Sequence, residues 1–96
     1  MRLLIVDNYD SFTFNLKHMC EPYVSSVDII RNDIIKLKSV DQYDKVLISP
    51  GPGLPQNAGM CLELIDKYMY HKPLLGICLG AQAIAVVCGV PLFNLE

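Results

Sequence analysis

Much is missing from this sequence, and each gap excludes something. Histidine occurs twice, as His18 and His71, and His, Cys, Asp and Glu form no cluster at metal-ligand spacing, so no metal or other cofactor is expected. The four cysteines, Cys20, Cys61, Cys78 and Cys88, include no C-x-x-C pair and no paired spacing. With no export signal in view, free thiols in a reducing cytoplasm are the expectation, rather than a disulfide framework. Positive charge is sparse and scattered, 8 Lys and Arg against 10 Asp and Glu for a net charge of −2. No stripe suits nucleic acid and no polybasic patch suits a membrane surface. The N-terminal apolar run, Leu3 to Val6, is far too short for a signal peptide or a bilayer span. Internal repeats, low-complexity tracts and linkers are absent as well.

What is present is apolar for its size. Ninety-six residues make one small domain, yet 52% of them are hydrophobic and the mean hydropathy is positive. So much apolar surface on so short a chain implies that something further should cover it. Leu3-Leu4-Ile5-Val6 is unbroken aliphatic sequence ending at Asp7, the pattern of a central strand buried on both faces. Ser11 can cap a helix carrying Phe12, Leu16, Met19 and Cys20 on one face and stopped before Pro22. Val24 to Arg31 and Lys45 to Ser49 read as further strands, Asn32 to Tyr43 as a loop or short helix, and Asn57 to Tyr70 as a helix with Cys61, Leu64, Ile65 and Met69 at helical spacing. Pro73 to Ile77 reads as a fourth strand, Ala81 to Val87 as a helix-compatible run, and Pro91-Leu92-Phe93 as the start of a fifth strand. Strands alternating with helices predict an α/β fold with a doubly wound, mainly parallel sheet. Ligands of such sheets sit beyond the carboxyl ends of the strands. Asp7 to Ser11, Ser49 to Gly53 and the segment around Cys78 are all predicted to converge there.

Two of these segments carry chemistry. Gly76-Ile77-Cys78-Leu79-Gly80 joins an apolar strand to a helix, with glycine two residues to either side of a cysteine. That is the pattern of a nucleophile elbow, G-x-S-x-G with cysteine in place of serine. Glycine is needed because strand and helix approach too closely for side chains, and the free N–H groups and positive dipole end of the helix favour thiolate there. The alternative is a buried cysteine beside two strand-end glycines. Ser49-Pro50-Gly51-Pro52-Gly53 supports the first reading. Proline has no N–H, so from Pro50 to Gly53 only Gly51 and Gly53 can donate, on a loop stiffened by its prolines. Two bare amides beside a cysteine elbow suit an oxyanion hole, with the N–H of Leu79 as second donor. A rigid turn remains the alternative. A phosphate cradle fits less well, because the Walker pattern and its lysine are missing.

Together, Gly76-Ile77-Cys78-Leu79-Gly80-Ala81-Gln82 and Ser49-Pro50-Gly51-Pro52-Gly53 resemble the class I glutamine amidotransferases. Val6-Asp7-Asn8-Tyr9-Asp10-Ser11-Phe12-Thr13-Phe14-Asn15 resembles, more narrowly, the amidotransferase component of anthranilate synthase and of aminodeoxychorismate synthase. The resemblance implies a flavodoxin-like sheet, Cys78 as nucleophile, the amides of Gly51 and Leu79 as oxyanion hole, and Gly51, Pro52, Gly53 and Gln82 around the substrate glutamine. It also implies a chorismate-using synthase as partner, component I, which receives the ammonia for anthranilate or para-aminobenzoate synthesis. Ala81 stands where many members have histidine, and alanine suits a buried helix. A histidine and a glutamate far downstream in the family have no match here. His18 and His71 fall elsewhere, and Glu96 does not replace the glutamate. Residues 1–96 are therefore expected to be the N-terminal half of the family domain, inactive alone and prone to self-association through uncovered apolar surface and the truncated sheet edge.

Three rivals remain to compare. A phosphoacceptor receiver domain would want an aspartate ending the third strand, where Ser49-Pro50 stands, and is rejected. A flavodoxin-like binding module would use the same loops for a phosphate. A truncated, catalytically silent fragment would keep the fold and the loops without the reaction.

Overall fold

The computed structural model describes residues 1–89. Four strands, β1 (Arg2–Asp7), β2 (Ser26–Arg31), β3 (Lys45–Ile48) and β4 (Leu74–Gly76), form one parallel sheet in the order β2-β1-β3-β4. Three helices connect with them: α1 (Thr13–Cys20), α2 (Cys61–Tyr68) and α3 (Leu79–Val87). The central strands are the unbroken aliphatic ones. Leu4, Ile5, Val6 and Ile48 are fully buried, because helices cover the sheet from both sides.

The two faces are unequally dressed. Leu4, Val6, Val46 and Ile48 point to the side where α2 and α3 contribute Cys61, Leu64, Ile65, Leu79 and Ala83, and Val40 and Tyr43 close the same core. Leu3, Ile5, Val27 and Leu47 face the other side, where α1 brings Leu16. There a groove of about 270 Å³ lies open between Leu3, Met19, Tyr23, Leu47, Leu74 and Leu75. The apolar excess in the composition surfaces here, with Leu75 59% exposed. Among the described residues no helix is long and apolar enough to cross a membrane.

The sequence reading needs local corrections. Ser11 is not the cap of α1: the helix begins at Thr13 after Phe12, with no side-chain cap. The Asp7 carboxylate organises that turn instead, accepting from Tyr9 N, Asp10 N and the Thr13 hydroxyl. Of the expected apolar face of α1, Leu16 is buried, whereas Phe12 and Met19 are exposed. The helix read from Asn57 begins at Cys61, because Pro55–Asn57 forms a separate 3₁₀ turn. Tyr68 rather than Met69 completes its buried face. Asn32 to Tyr43 contains one 3₁₀ helix, Leu37–Gln42. The strand read at Pro91 to Phe93 lies outside the described residues, as does Glu96.

Chain direction across the sheet reverses between β1 and β3. β1 is followed by a neighbour on one side, and the chain then crosses to β3 and β4 on the other. In open parallel sheets the crevice for ligands lies at the carboxyl ends of the strands flanking this reversal. The loops leaving β1 and β3 are Asp7 to Ser11 and Ser49 to Gly53.

Candidate active site

β4 ends at Gly76, and after Ile77 and Cys78 the chain is already in α3. So abrupt a passage forces Cys78 to φ 54°, ψ −108°, a backbone state few L-residues adopt. Such a state costs on the order of 1–3 kcal/mol and persists only where the surroundings over-determine it. Here they do. Ile77 N–H bonds Ile48 O at 3.0 Å, Gly80 N–H bonds Ile77 O at 3.0 Å, and Gln82 N–H bonds Cys78 O at 3.0 Å. Both glycines are required by close approach: a methyl on Gly76 would lie 2.5 Å from Ala81 N, and one on Gly80 would run into Ile48 O. The result is an exposed thiol at the N-terminal end of a nine-residue helix.

Ser49 to Gly53 lies against this turn. A methyl on Gly51 would lie 2.5 Å from Asn8 O and 3.0 Å from Leu79 Cδ2, so the loop touches both the β1 loop and the residue after Cys78. Among the described residues, neither the Gly51 amide nor the Leu79 amide finds an acceptor. Two unspent donors thus flank the cysteine turn. A cavity of about 350 Å³ opens beside them, lined by Asn8, Tyr9, Asn32, Asn57, Pro52 and Leu79 among others. Gly51, Cys78, Gly53 and Gln82 are not in its wall; Gln82 is exposed on α3, as is Ala81 against the burial expected for it, and Gly53 is exposed at φ 78°.

Neither histidine approaches the turn. His18 is exposed on α1, beside Glu21 Oε1 at 3.2 Å. His71 is exposed just after α2 and precedes β4, which puts it at the amino end of the sheet while Cys78 stands at the carboxyl end. Of the other cysteines, Cys61 is buried and Cys20 half-buried, whereas Cys88 is exposed at the C-terminal cap of α3.

Sequence reasoning missed a buried polar network beneath the crevice. Asn8 N–H bonds Ser49 Oγ at 2.9 Å, Asn8 Nδ2 bonds Ser49 O at 2.8 Å, and Asn8 Oδ1 accepts from Asn32 Nδ2 at 2.9 Å and from the Cys61 thiol at 3.0 Å. Burial pushes the Cys61 thiol up to about 11. Asn8 and Ser49 lay inside segments already singled out and carried no role there. Asn32 gave no signal, since its partner Asn8 is 24 residues away. Tyr9, the other non-glycine residue at positive φ (62°) among the described residues, turns its hydroxyl to Asp33 Oδ2 at 2.6 Å, with the Arg31 guanidinium 5.1 Å from its ring centre.

Known proteins resemble this chain in sequence and in fold. The profile of the family "Glutamine amidotransferase class-I" matches residues 4–96. Anthranilate synthase component 2 of Acetivibrio thermocellus is 45% identical over 84 residues, covering 85% of this chain and 92% of that protein. Aminodeoxychorismate synthase component 2 of Escherichia coli (strain K12) is 44% identical over 90 residues, covering 91% of this chain and 48% of its own length. Among solved structures, a putative GMP synthase protein from Thermoplasma acidophilum superposes with a TM-score of 0.76 at 28% identity, covering 93% of this chain and 45% of that one. The chain therefore spans about half the length of the latter two proteins. With its profile match over nearly all of its length, and with a flavodoxin-like parallel sheet to carry it, the chain belongs to the class I glutamine amidotransferase family.

Proposed function

We propose that residues 1–96 are the nucleophile-bearing half of a glutamine amidotransferase domain that supplies ammonia to a chorismate-using synthase. The observation that carries this reading is the turn at Cys78: an exposed thiol at positive φ, at a helix N-terminus, with the free amides of Gly51 and Leu79 beside it. Cys78 thiolate attacks the side-chain carboxamide carbon of glutamine, forming an S–C bond and a tetrahedral oxyanion. The Gly51 and Leu79 N–H groups receive that charge, and Gly51, Pro52, Gly53 and Gln82 contact the substrate. The C–N bond then breaks as the nitrogen takes up a proton and leaves as ammonia. Water cleaves the remaining γ-glutamyl thioester to glutamate.

The proton for the leaving nitrogen is the step these residues do not supply. Neither His18 nor His71 stands near the turn, so we assign the donor to the part of the domain that the longer relatives have beyond this half. General acid–base help is worth about 10²–10⁴-fold, and losing one member of a cooperating set can cost roughly 10⁶-fold. The relatives named component 2 support a second component as partner, with ammonia passed on before it protonates in water.

Glutamate release from glutamine tests this directly. The chain alone should stay at background. Mixed with the remaining half of the E. coli relative it should gain turnover that Cys78→Ser abolishes. Robust turnover by the chain alone, or turnover indifferent to Cys78→Ser, would overturn the proposal.

A further inference from the structure

An amide serves an oxyanion only if its N–H is held at one angle, and a loop with two glycines does not hold itself. We propose that Ser49 and Asn8 are positioning residues that aim the Gly51 N–H toward the Cys78 turn, without touching substrate themselves. The inference rests on Gly51 being an oxyanion donor, as assigned above.

Proline fixes φ at Pro50, and the peptide bond is planar and trans. The tilt of the Pro50–Gly51 peptide plane therefore depends on ψ of Pro50 and φ of Gly51, and glycine has no side chain to restrain the second. Ser49 restrains the plane from outside. Its hydroxyl has one proton, which it gives to Pro50 O at 2.8 Å. In a trans peptide the C=O and N–H point in opposite directions, so pinning the carbonyl sends the Gly51 N–H away from Ser49. The hydroxyl is itself held, because its oxygen accepts the Asn8 N–H at 2.9 Å.

Asn8 completes the clamp. Its Nδ2 donates to Ser49 O at 2.8 Å, and its Oδ1 is fixed by Asn32 Nδ2 and the Cys61 thiol. Its main chain walls Gly51 from behind, where even a methyl would clash. Ser49 is 0% and Asn8 2% exposed, so water is kept from the bonds between them, while the Pro50 carbonyl that Ser49 holds is half-buried. A serine that only finished a strand would need none of the bonds to Pro50 O or to Asn8 to shape the loop's outward face.

Two reactions at Cys78 in the 96-residue chain separate aiming from mere folding. Acylation by a glutamate γ-(p-nitrophenyl) ester passes through an oxyanion: the S–C bond forms, the C–O bond breaks, and nitrophenolate leaves as an anion, so no proton donor is required. Alkylation by iodoacetamide displaces iodide in one step and makes no oxyanion. Ser49→Ala should slow acylation about 10- to 100-fold, part of the 10²–10³ that losing a whole donor costs, and leave Cys78 alkylation within about twofold. Asn8→Ala should do the same, and serves if Ser49→Ala does not fold; a cooperative urea transition reports the fold in both. An unchanged ratio of the two rates in a variant that unfolds cooperatively would overturn the proposal, whether both reactions keep their rates or slow equally. Nitrophenolate release that survives Cys78→Ser in the otherwise unaltered chain would instead overturn the assignment of Cys78 and Gly51 on which the proposal stands.

Discussion

Cys61 opens α2 and Cys78 immediately precedes α3, so both thiols stand at the positive end of a short helix. Their circumstances then diverge. Cys61 is 1% exposed, donates to Asn8 Oδ1, and is pushed by burial up to about 11. Cys78 is exposed, and its backbone sits at φ 54° on a turn that only flanking glycines permit. The helix end is common to the two, so it cannot be what makes a nucleophile. The turn before the helix decides: a strand driven straight into a helix lifts its side chain out of the core, whereas the 3₁₀ turn and bend before α2 let its first residue sink into it.

The largest expected consequence is chemical selectivity. At pH 8 a thiol titrating at about 11 is ionised to about one part in 10³, and burial slows reagent access further. Iodoacetamide at limiting dose, followed by peptide mapping, should label Cys78 at least about 100-fold faster than Cys61. Exposed Cys88 and half-buried Cys20 should fall between. Comparable labelling of Cys61 and Cys78 in the folded chain would erase the distinction drawn here.

Breaking the turn should narrow the difference at a cost in stability. Gly80→Ala sets a methyl into Ile48 O, and neither backbone can yield without moving β3 or α3. Overpacking of this kind costs about 1–3 kcal/mol or more. The urea midpoint should fall accordingly, and the labelling advantage of Cys78 should shrink with it. Ala83→Gly, in the same helix but away from the turn, should lower stability through propensity and cavity terms alone and keep the selectivity.

How much of this was legible beforehand follows from where the signals lie. Unbroken runs such as Leu3 to Val6 and Val46 to Ile48 announce buried parallel strands, and the four strands, α3 and the Cys78 turn fall in the segments read for them, with β2 starting at Ser26 rather than Val24 and α3 at Leu79 rather than Ala81. Glycine spacing around Cys78 is a local steric requirement, so it too could be read. The start of α1 could not, because the turn is organised by Asp7, six residues before Thr13, and Ser11 is a reasonable cap that the fold does not use. The clamp under the crevice was invisible for a stronger reason: Asn8 meets Ser49 across 41 residues and Cys61 across 53. Contacts at that separation exist only once the sheet is assembled. The exposure of Cys88 could not be read either, because it turns on where α3 ends.

The buried thiol should leave its own mark on the pH dependence of stability. The folded pKa of Cys61, about 11, lies above the ordinary 9.0, so the folded state holds its proton more tightly than the unfolded chain does. Its contribution is complete below about pH 9 and is lost as pH rises toward about 11. Two pKa units correspond to at most roughly 3 kcal/mol. Urea unfolding between pH 8 and 11 should show stability falling over that window, and Cys61→Ala should flatten the fall. The Tyr43 and Tyr68 hydroxyls, raised from 10.0 to about 12, weaken stability from about pH 10 upward and overlap only the top of this window, so the fall between pH 8 and 10 is the part that belongs to Cys61. A slope unaltered by Cys61→Ala would place the alkaline weakness elsewhere.

The smallest effect is the most pointed, because it reverses the usual sign of a core-ward mutation. Cys78 at φ 54°, ψ −108° holds strain of about 1–3 kcal/mol that glycine would not feel. Glycine also enlarges the entropy of the unfolded chain, which takes back about 0.4–1 kcal/mol. Glycine is a fair residue before a helix as well, so α3 loses little at its start. Cys78→Gly should therefore raise stability by about 1 kcal/mol, read as a higher urea midpoint at unchanged slope. Cys78→Ala keeps the same backbone problem and should gain nothing. Cys61→Gly, at the first residue of a helix and inside the core, should lose about 2 kcal/mol or more. A gain at position 78 confined to glycine would show that the turn, rather than the thiol, stores the strain. Equal gains from alanine and glycine would locate the cost in the sulfur's surroundings instead, and the contrast with Cys61 would then be one of side chains and not of backbone.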